Sequence, residues 1–268
     1  MWGKLKRNLP HRIRKTSPRS TTLPNPIKER DTTLAGKTAL ITGASRGIGF
    51  AIARQLAQQG CNLILVGRKR ASLLRAIRER GPKEGRILAK ACDVRDPKAV
   101  SALAASVRQQ FPKLDILVNN AGVAHATHPV AKLPYLTWKT VIDTNLNGTF
   151  LVTQAFLPLM SRGGTVVNNL SIAANRVFAG SSAYNASKHG ALGFTNTLRE
   201  ELRPQGIRVI ALLPGATDTE IWKTLWPDAP REKMMSPETV ARAVVSALLL
   251  PADSTVEELM ILPTSGAL

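Results

Sequence analysis

Tyr184 and Lys188 stand four residues apart at the start of a stretch with helical spacing, so they share one face. An ammonium near a phenol favours the phenolate and lowers its pKa from about 10, which makes Tyr184 an acid–base group usable near neutral pH. Spacing alone does not single this pair out, because Tyr135 and Lys139 repeat it. The two pairs differ upstream: Ser171 stands at the same offset before Tyr184 that Gly122 holds before Tyr135. A serine hydroxyl at a strand end can hydrogen-bond a substrate carbonyl. Asn145 lies in the long helical pattern that precedes Ser171. Its side chain could hold a water that relays protons toward Lys188; equally, Asn is a poor helix-interior residue and could simply distort or cap that helix.

These residues need a frame, and the stretch Thr38 to Gly49, TALITGASRGIG, supplies its first unit. Thr38 to Thr42 is an apolar run that reads as a buried strand. Gly43, Gly47 and Gly49 punctuate a turn, and Ile48, Ile52 and Leu56 then recur at helical spacing. Glycine permits φ > 0 and close backbone approach to a pyrophosphate, and the helix start offers free N–H groups to the same phosphates. The spacing is a variant of the usual G-x-G-x-x-G pattern. An ordinary strand-to-helix turn would carry the same residues.

The end of the second strand reads Val66-Gly67-Arg68, where a carboxylate for a ribose 2′-hydroxyl would be expected in an NAD-binding chain. Arg46 lies inside the glycine turn. Two guanidinium groups at that ribose suit a 2′-phosphate, which points to NADP(H) over NAD(H). Asp93 and Val94, after the third strand, would meet the adenine, the carboxylate on its exocyclic amine and Val94 against its ring. Asn119-Asn120-Ala121-Gly122 ends the fourth strand, where small residues let the backbone pass close to a cofactor. Asn119 itself could instead tie neighbouring loops together.

From Gly36 onward strands and helices alternate. Strands are expected over Thr38–Thr42, Asn62–Val66, Arg86–Ala91, Asp115–Asn119, Thr165–Leu170, Arg208–Leu213 and Leu259–Leu262. Helices are expected over Lys69–Glu79, Pro97–Gln110, Leu136–Met160, Ala183–Leu202 and Pro237–Leu250. This is an α/β pattern: one doubly wound domain with a parallel sheet and helices on both faces, its ligand at the carboxyl ends of the strands.

In combination and order, Thr42 to Gly49, the Asn119–Gly122 run, and Ser171 with Tyr184 and Lys188 resemble the short-chain dehydrogenase/reductase family, over about Leu34 to Leu262. The resemblance implies a Rossmann-type fold with a seven-stranded sheet of order 3-2-1-4-5-6-7 and a catalytic tetrad of Asn145, Ser171, Tyr184 and Lys188. It implies cofactor contacts from Gly43, Ser45, Arg46, Gly47, Ile48, Gly49, Arg68, Asp93, Val94, Asn120, Ala121 and Gly122. Tyr184 and Lys188 would join them, with Pro214, Gly215, Thr217 and Thr219 at the nicotinamide end. Arg46 and Gly67-Arg68 look like the NADP-preferring branch. Members are commonly homodimers or homotetramers, paired through the long helices around strand five. One departure is Asn169-Leu170-Ser171, which replaces a frequent pair of serines but keeps the catalytic one. In reduction, Ser171 and Tyr184 would bond the carbonyl oxygen, Tyr184 would donate the proton, and Lys188 would lower its pKa and bond the nicotinamide ribose.

The segment 217–235 would form a substrate lid, offering Ile221, Trp222, Leu225, Trp226, Met234 and Met235. With Phe178 these suggest an apolar or aromatic carbonyl compound, such as a ketoacyl, steroid-like or quinone substrate. Packing of the lid against its own domain is an equal reading of the same residues. Substrate contacts are expected from Ser171, Phe178, Tyr184 and Trp222. An NADP-binding sensor with no turnover is the other function class, although a pure sensor needs no tetrad.

The formal charge is +19, and Met1 to Arg30 holds nine Lys or Arg against one acid, Glu29. With Pro10, Pro18, Pro24 and Pro26, residues 1–33 read as a flexible basic extension to a catalytic domain over 34–268. Three roles compete for it: weak contact with an anionic membrane through Trp2, Leu5, Leu9 and Ile13, an organellar targeting segment, or a solvated tail. Phosphate attraction needs only cations, but no aromatic interleaving supports a specific nucleic-acid site. Cys61 and Cys92 sit in apolar contexts and read as free buried thiols in a reducing compartment, consistent with the cytoplasm. No stretch approaches a membrane span, and His11, His125, His128 and His189 show no metal-ligand spacing, although His125 and His128 could border the pocket.

Overall fold

A computed structural model describes residues 33–80 and 86–266. The basic extension lies outside them, Thr33 apart. The sheet is built from β1 (Thr38–Thr42), β2 (Asn62–Gly67), β3 (Ile87–Ala91), β4 (Ile116–Asn119), β5 (Thr165–Asn169), β6 (Arg208–Pro214) and β7 (Glu258–Ile261). Every neighbouring pair is parallel, in the order β3-β2-β1-β4-β5-β6-β7. The helices are α1 (Gly47–Gln58), α2 (Arg70–Arg80), α3 (Pro97–Arg108), α4 (Tyr135–Ile142), α5 (Gly148–Phe156), α6 (Ser182–Leu202), α7 (Trp222–Leu225) and α8 (Pro237–Leu248).

All five residues of β1 are buried, as a central strand covered on both faces requires. Alternation decides which layer each one joins. Ala39 and Ile41 pack with Ile52 and Leu56 of α1, Leu73 of α2 and Val244 of α8. Leu40 packs on the other side with Val107 of α3, Phe156 of α5 and Leu198 of α6. The sheet is therefore sandwiched between two helical layers, and its carboxyl edge is left for the site.

Helix starts are marked by side chains where no ligand is expected. Asp96 accepts from the backbone N–H groups of Lys98 and Ala99 ahead of α3, with Pro97 in the first turn. Ser236 accepts from Thr239 N–H ahead of α8. The start of α1 differs: Arg46 provides no side-chain cap and its first turn carries no acid. Its orphan N–H groups face the carboxyl edge of the sheet.

The long helix expected over 136–160 is not continuous. α4 and α5 are separated by one π-helical turn, Asp143–Asn147, and a short 3-10 turn with Pro158 closes α5. Threonine hydroxyls bend the helix by bonding carbonyls one turn back: Thr140 to Leu136, Thr144 to Thr140 and Thr149 to Asn145, at 2.7–2.8 Å. The wide turn is what carries Asn145.

Candidate active site

One cavity of about 700 Å³ runs along the carboxyl edge from the α1 turn to the 217–235 segment. Gly43, Ser45, Arg46, Gly47, Ile48, Arg68, Asp93, Val94, Asn120 and Ala121 line one end, Gly122 lies beside Lys188, and Pro214, Gly215, Thr217 and Thr219 line the wall opposite the glycine turn. Ser171, Phe178, Tyr184, Lys188 and Trp222 line the other end. Sequence reasoning missed Arg95, Thr140, Thr144 and Asn169 in this wall; the i+2 offset of Arg95 from Asp93 is the signal that could have found the first.

The glycine turn is shaped for close approach. Gly43 has φ +63°, and a Cβ there would sit 2.9 Å from the Ala121 Cα; Gly47 has φ +58° and faces Thr219. Gly49 is a correction. It does not reach the cavity, because Asn120 lies over it: a Cβ on Gly49 would fall 2.2 Å from Asn120 Nδ2. Asn120 in turn donates to the carbonyls of Thr42 and Gly43, and its Oδ1 accepts from Asn169 Nδ2 at 2.7 Å. The Thr42 hydroxyl accepts from the N–H groups of Asn120 and Ala121. The ends of β1, β4 and β5 are thereby locked together beneath the glycines. Asn119 points the other way, donating to Thr153 and Asn168 within the protein, so its role is loop and sheet support.

Arg46 and Arg68 are exposed at the cavity mouth, and neither guanidinium makes a hydrogen bond or ion pair among the described residues. Asp93 is gripped by Arg95, whose Nε and Nη2 donate to it at 2.6–3.1 Å. That fork holds the Asp93 carboxyl below its usual range. Val94 is buried and fills the gap left by Gly148, where a Cβ would be 2.7 Å from its methyl group.

At the other end, Ser171 follows β5 with φ 153° and ψ 163°, a region that glycine alone adopts freely. It is the one non-glycine residue with positive φ among those described. Its hydroxyl accepts from Ala173 N–H at 3.1 Å and stands close enough to the Tyr184 phenol to favour its ionised form. α6 carries Tyr184 and Lys188 on one face. Lys188 Nζ lies 5.6 Å from the centre of the Tyr184 ring and donates to the Asn169 carbonyl at 3.1 Å.

Burial works against the sequence expectation for this pair. It pushes the Tyr184 phenol up, and the nearby Ser171 hydroxyl draws it partway back. Burial also pulls the Lys188 ammonium down to about 8. Desolvation outweighs pairing here because the ammonium faces the ring and is bound to a neutral carbonyl.

Asn145 is buried and does not line the cavity. Its Oδ1 accepts from Val123 N–H, and its Nδ2 donates to the Val123 carbonyl and to Ser187 Oγ, at 2.9–3.0 Å. Ser187 Oγ donates onward to the Tyr184 carbonyl. Both of its side-chain N–H donors are spent, and the side chain braces the β4 loop against α6. The decoy pair separates cleanly: Tyr135 is 72% exposed on α4, and Lys139 is paired with Asp143.

The lid residues divide. Ile221, Trp222, Leu225 and Trp226 face the cavity, whereas Met234 does not and Met235 is buried in the core beside α8. Trp222 is fixed by donating to the Thr217 carbonyl at 2.8 Å and by packing against Trp226. His125 is buried, and neither it nor His128 lines the cavity. Among the described residues no group of His, Cys, Asp or Glu could hold a metal ion, and no helix is long and apolar enough to cross a membrane.

The cradle fits a dinucleotide on its own geometry: an uncapped helix start, glycines whose Cβ would fill the turn, and two unpaired arginines at one end. A doubly wound sheet with a glycine turn at β1 and a Ser–Tyr–Lys group at β5 and α6 defines a nucleotide-binding oxidoreductase. The chain belongs to the short-chain dehydrogenase family, whose model matches residues 37–230. It is similar to sulfoacetaldehyde reductase 2 of Chromohalobacter salexigens, 36% identical over 85% of this chain and 94% of that one. It is also similar to an alcohol dehydrogenase of Thermococcus sibiricus solved with 5-hydroxy-NADP. That structure has a TM-score of 0.77 at 32% identity, covering 85% of this chain and 97% of that one. A 3-ketoacyl-(acyl-carrier-protein) reductase of Brucella melitensis solved with NADH has a TM-score of 0.77 at 29% identity, covering 87% and 99%.

Proposed function

We propose that the protein is an NADPH-dependent oxidoreductase that interconverts a carbonyl and a secondary alcohol on an apolar substrate. The observation that carries this reading is a single cavity with Ser171, Tyr184 and Lys188 at one end and two unpartnered arginines at the other. A bound nicotinamide coenzyme would supply or accept the hydride. The protein's part is placement and field. Ser171 and Tyr184 bond the carbonyl oxygen where negative charge develops, and Tyr184 gives or takes the proton at that oxygen. Lys188 sets the field beside the phenol and offers its free donors to a ribose. Asn145 acts from behind, holding Val123 and Ser187 in place.

The relatives have diverse names, so the substrate reading rests on the cavity. A small charged aldehyde such as sulfoacetaldehyde needs a cation near the reacting carbonyl. The cations lining this cavity other than Lys188 are Arg46, Arg68 and Arg95, all at the coenzyme end. The substrate end offers Phe178, Ile221, Trp222, Leu225 and Trp226. This favours an apolar ketone, with the segment 217–235 as its lid. We further infer a homodimer or homotetramer; exposed Tyr135, Leu136 and Phe150 on α4 and α5 supply apolar surface for it. The unbridged buried thiols suit a reducing compartment such as the cytoplasm.

Two measurements test the reading. The Kd for NADPH should be well below that for NADH, and removing both arginines, Arg46→Ala with Arg68→Ala, should raise it about ten- to hundredfold while leaving NADH little changed. NADPH oxidation across a panel of ketoacyl, steroid, quinone and aromatic ketones should find turnover. A preference for NADH, or no turnover on any of them, would overturn it.

A further inference from the structure

The segment between β6 and α8 is tied at its neck. Thr217 bridges Met235 in parallel register, Met235 N–H donates to the Ala216 carbonyl and Asp218 N–H to the Met235 carbonyl. A side chain then crosses that neck. Arg231 sits on the 3-10 turn Arg231–Lys233, and its Nη1 donates both to Asp218 Oδ1 at 2.5 Å and to the Thr219 carbonyl at 2.9 Å. The Arg231 side chain is only 30% exposed against 69% for Lys223 in the segment's other ion pair, Lys223–Glu220, although Asp218 at 54% is as open as Glu220 at 46%.

What the latch holds gives it a function. Thr219, whose carbonyl Arg231 bonds, places its methyl group over the glycine turn, 3.2 Å from where a Gly47 Cβ would lie. Two to seven residues further on come Ile221, Trp222, Leu225 and Trp226, the apolar wall of the substrate end. One guanidinium therefore fixes, in a single loop, both the residue facing the phosphate-shaped turn and the wall facing the substrate.

We propose that Arg231 is a positioning residue that latches this loop over the coenzyme cradle. The part concerning coenzyme rests on the NADP(H) reading above; the latch itself does not. Hydrogen exchange of the backbone amides at 220–226 in the free protein tests the latch without any ligand. Arg231→Gln should speed that exchange about tenfold, the loss of roughly one charge-assisted contact, while amides of α1 and α8 are unchanged. Asp218→Asn should loosen the same amides, and Arg231→Lys, whose single ammonium can reach the same two oxygens, should restore most of the protection. Equal exchange in Arg231→Gln and wild type overturns the latch, and so does acceleration spread evenly over the whole domain, which would mark a merely structural arginine.

Coenzyme affinity is the second arm. Arg231→Gln should weaken NADPH binding about three- to tenfold, with Arg231→Lys close to wild type. Unchanged NADPH affinity in a variant with a loosened loop would refute the coupling to coenzyme. Failure of the wild type itself to bind NADPH would defeat the proposed function and leave the exchange result to decide the latch.

Discussion

Asn145 grips Val123 by both backbone groups at once, accepting its N–H and donating to its carbonyl, each at 2.9 Å. A side-chain amide paired with a peptide unit in this way fixes the loop after β4 as firmly as a strand neighbour would. The π turn between α4 and α5 exists to present it. Because Asn145 also bonds Ser187, and Ser187 bonds the Tyr184 carbonyl, the loop and α6 share one support.

Replacing Asn145 by Ala removes the partner of the half-buried Val123 N–H and carbonyl, and the donor to buried Ser187 Oγ. We expect a loss of about 2–4 kcal/mol in urea unfolding, together with a loss of turnover. A stability within about 0.5 kcal/mol of wild type would show that solvent replaces the brace freely.

Tyr184→Phe should abolish carbonyl reduction and leave NADPH binding within about twofold, because one hydroxyl is a small part of the contacts the cradle offers the coenzyme. Tyr135→Phe is the matched control. Its ring is largely exposed, and turnover should be unaffected. Comparable activity in the two variants would remove Tyr184 from the chemistry.

Gly49→Ala tests a residue that shapes the turn from beneath. Its methyl group would collide with Asn120 Nδ2 and the Gly43 carbonyl, at 2.2 and 2.8 Å. We expect a destabilisation of about 1–3 kcal/mol and weaker coenzyme binding as Asn120 gives up its bonds to Thr42 and Gly43. Adding Asn120→Ala should make the second loss smaller than the sum of the two, by roughly 0.5–3 kcal/mol of coupling in a double-mutant cycle. Strict additivity would mean the two residues do not compete for the same space.

Much of this architecture was legible in the residues. The glycine turn, the missing carboxylate after β2 and the Ser171–Tyr184–Lys188 spacing are local signals, and Gly43, Gly47, Arg68, Ser171, Tyr184 and Lys188 all line the cavity. The sheet order came from the resemblance, not from periodicity. What escaped was decided by tertiary crowding. Gly49 looks like a phosphate contact until Asn120, from another strand, is seen to cover it. The amphipathic run 136–160 reads as one helix, and only the cluster Asp143-Thr144-Asn145-Leu146-Asn147-Gly148, poor in helix formers, hints at the wide turn. The opposing pull of burial on the Tyr184 phenol escaped because spacing reports a neighbouring charge but not the depth at which it sits.

That burial gives Lys188 a measurable signature. Its folded pKa is about 8 against an ordinary value of 10.5, so the unfolded chain binds more protons between those limits. Stability from this group therefore rises with pH across that window, and below about 8 the full cost of burying the ammonium is present. Lys188→Met removes the cost along with the bond to the Asn169 carbonyl. At pH 7 the variant should be more stable than wild type by about 1–2 kcal/mol, a desolvation relief of roughly 3 set against a lost hydrogen bond of roughly 1–2. At pH 10.5 the relief is gone and the variant should be equal or weaker. Urea unfolding at the two pH values checks both signs, and turnover should be lost at each. A variant less stable at pH 7, with a gap that does not move toward alkaline pH, would mean that Lys188 is not an ammonium held against its solvation, and the field assigned to it beside Tyr184 would go with it.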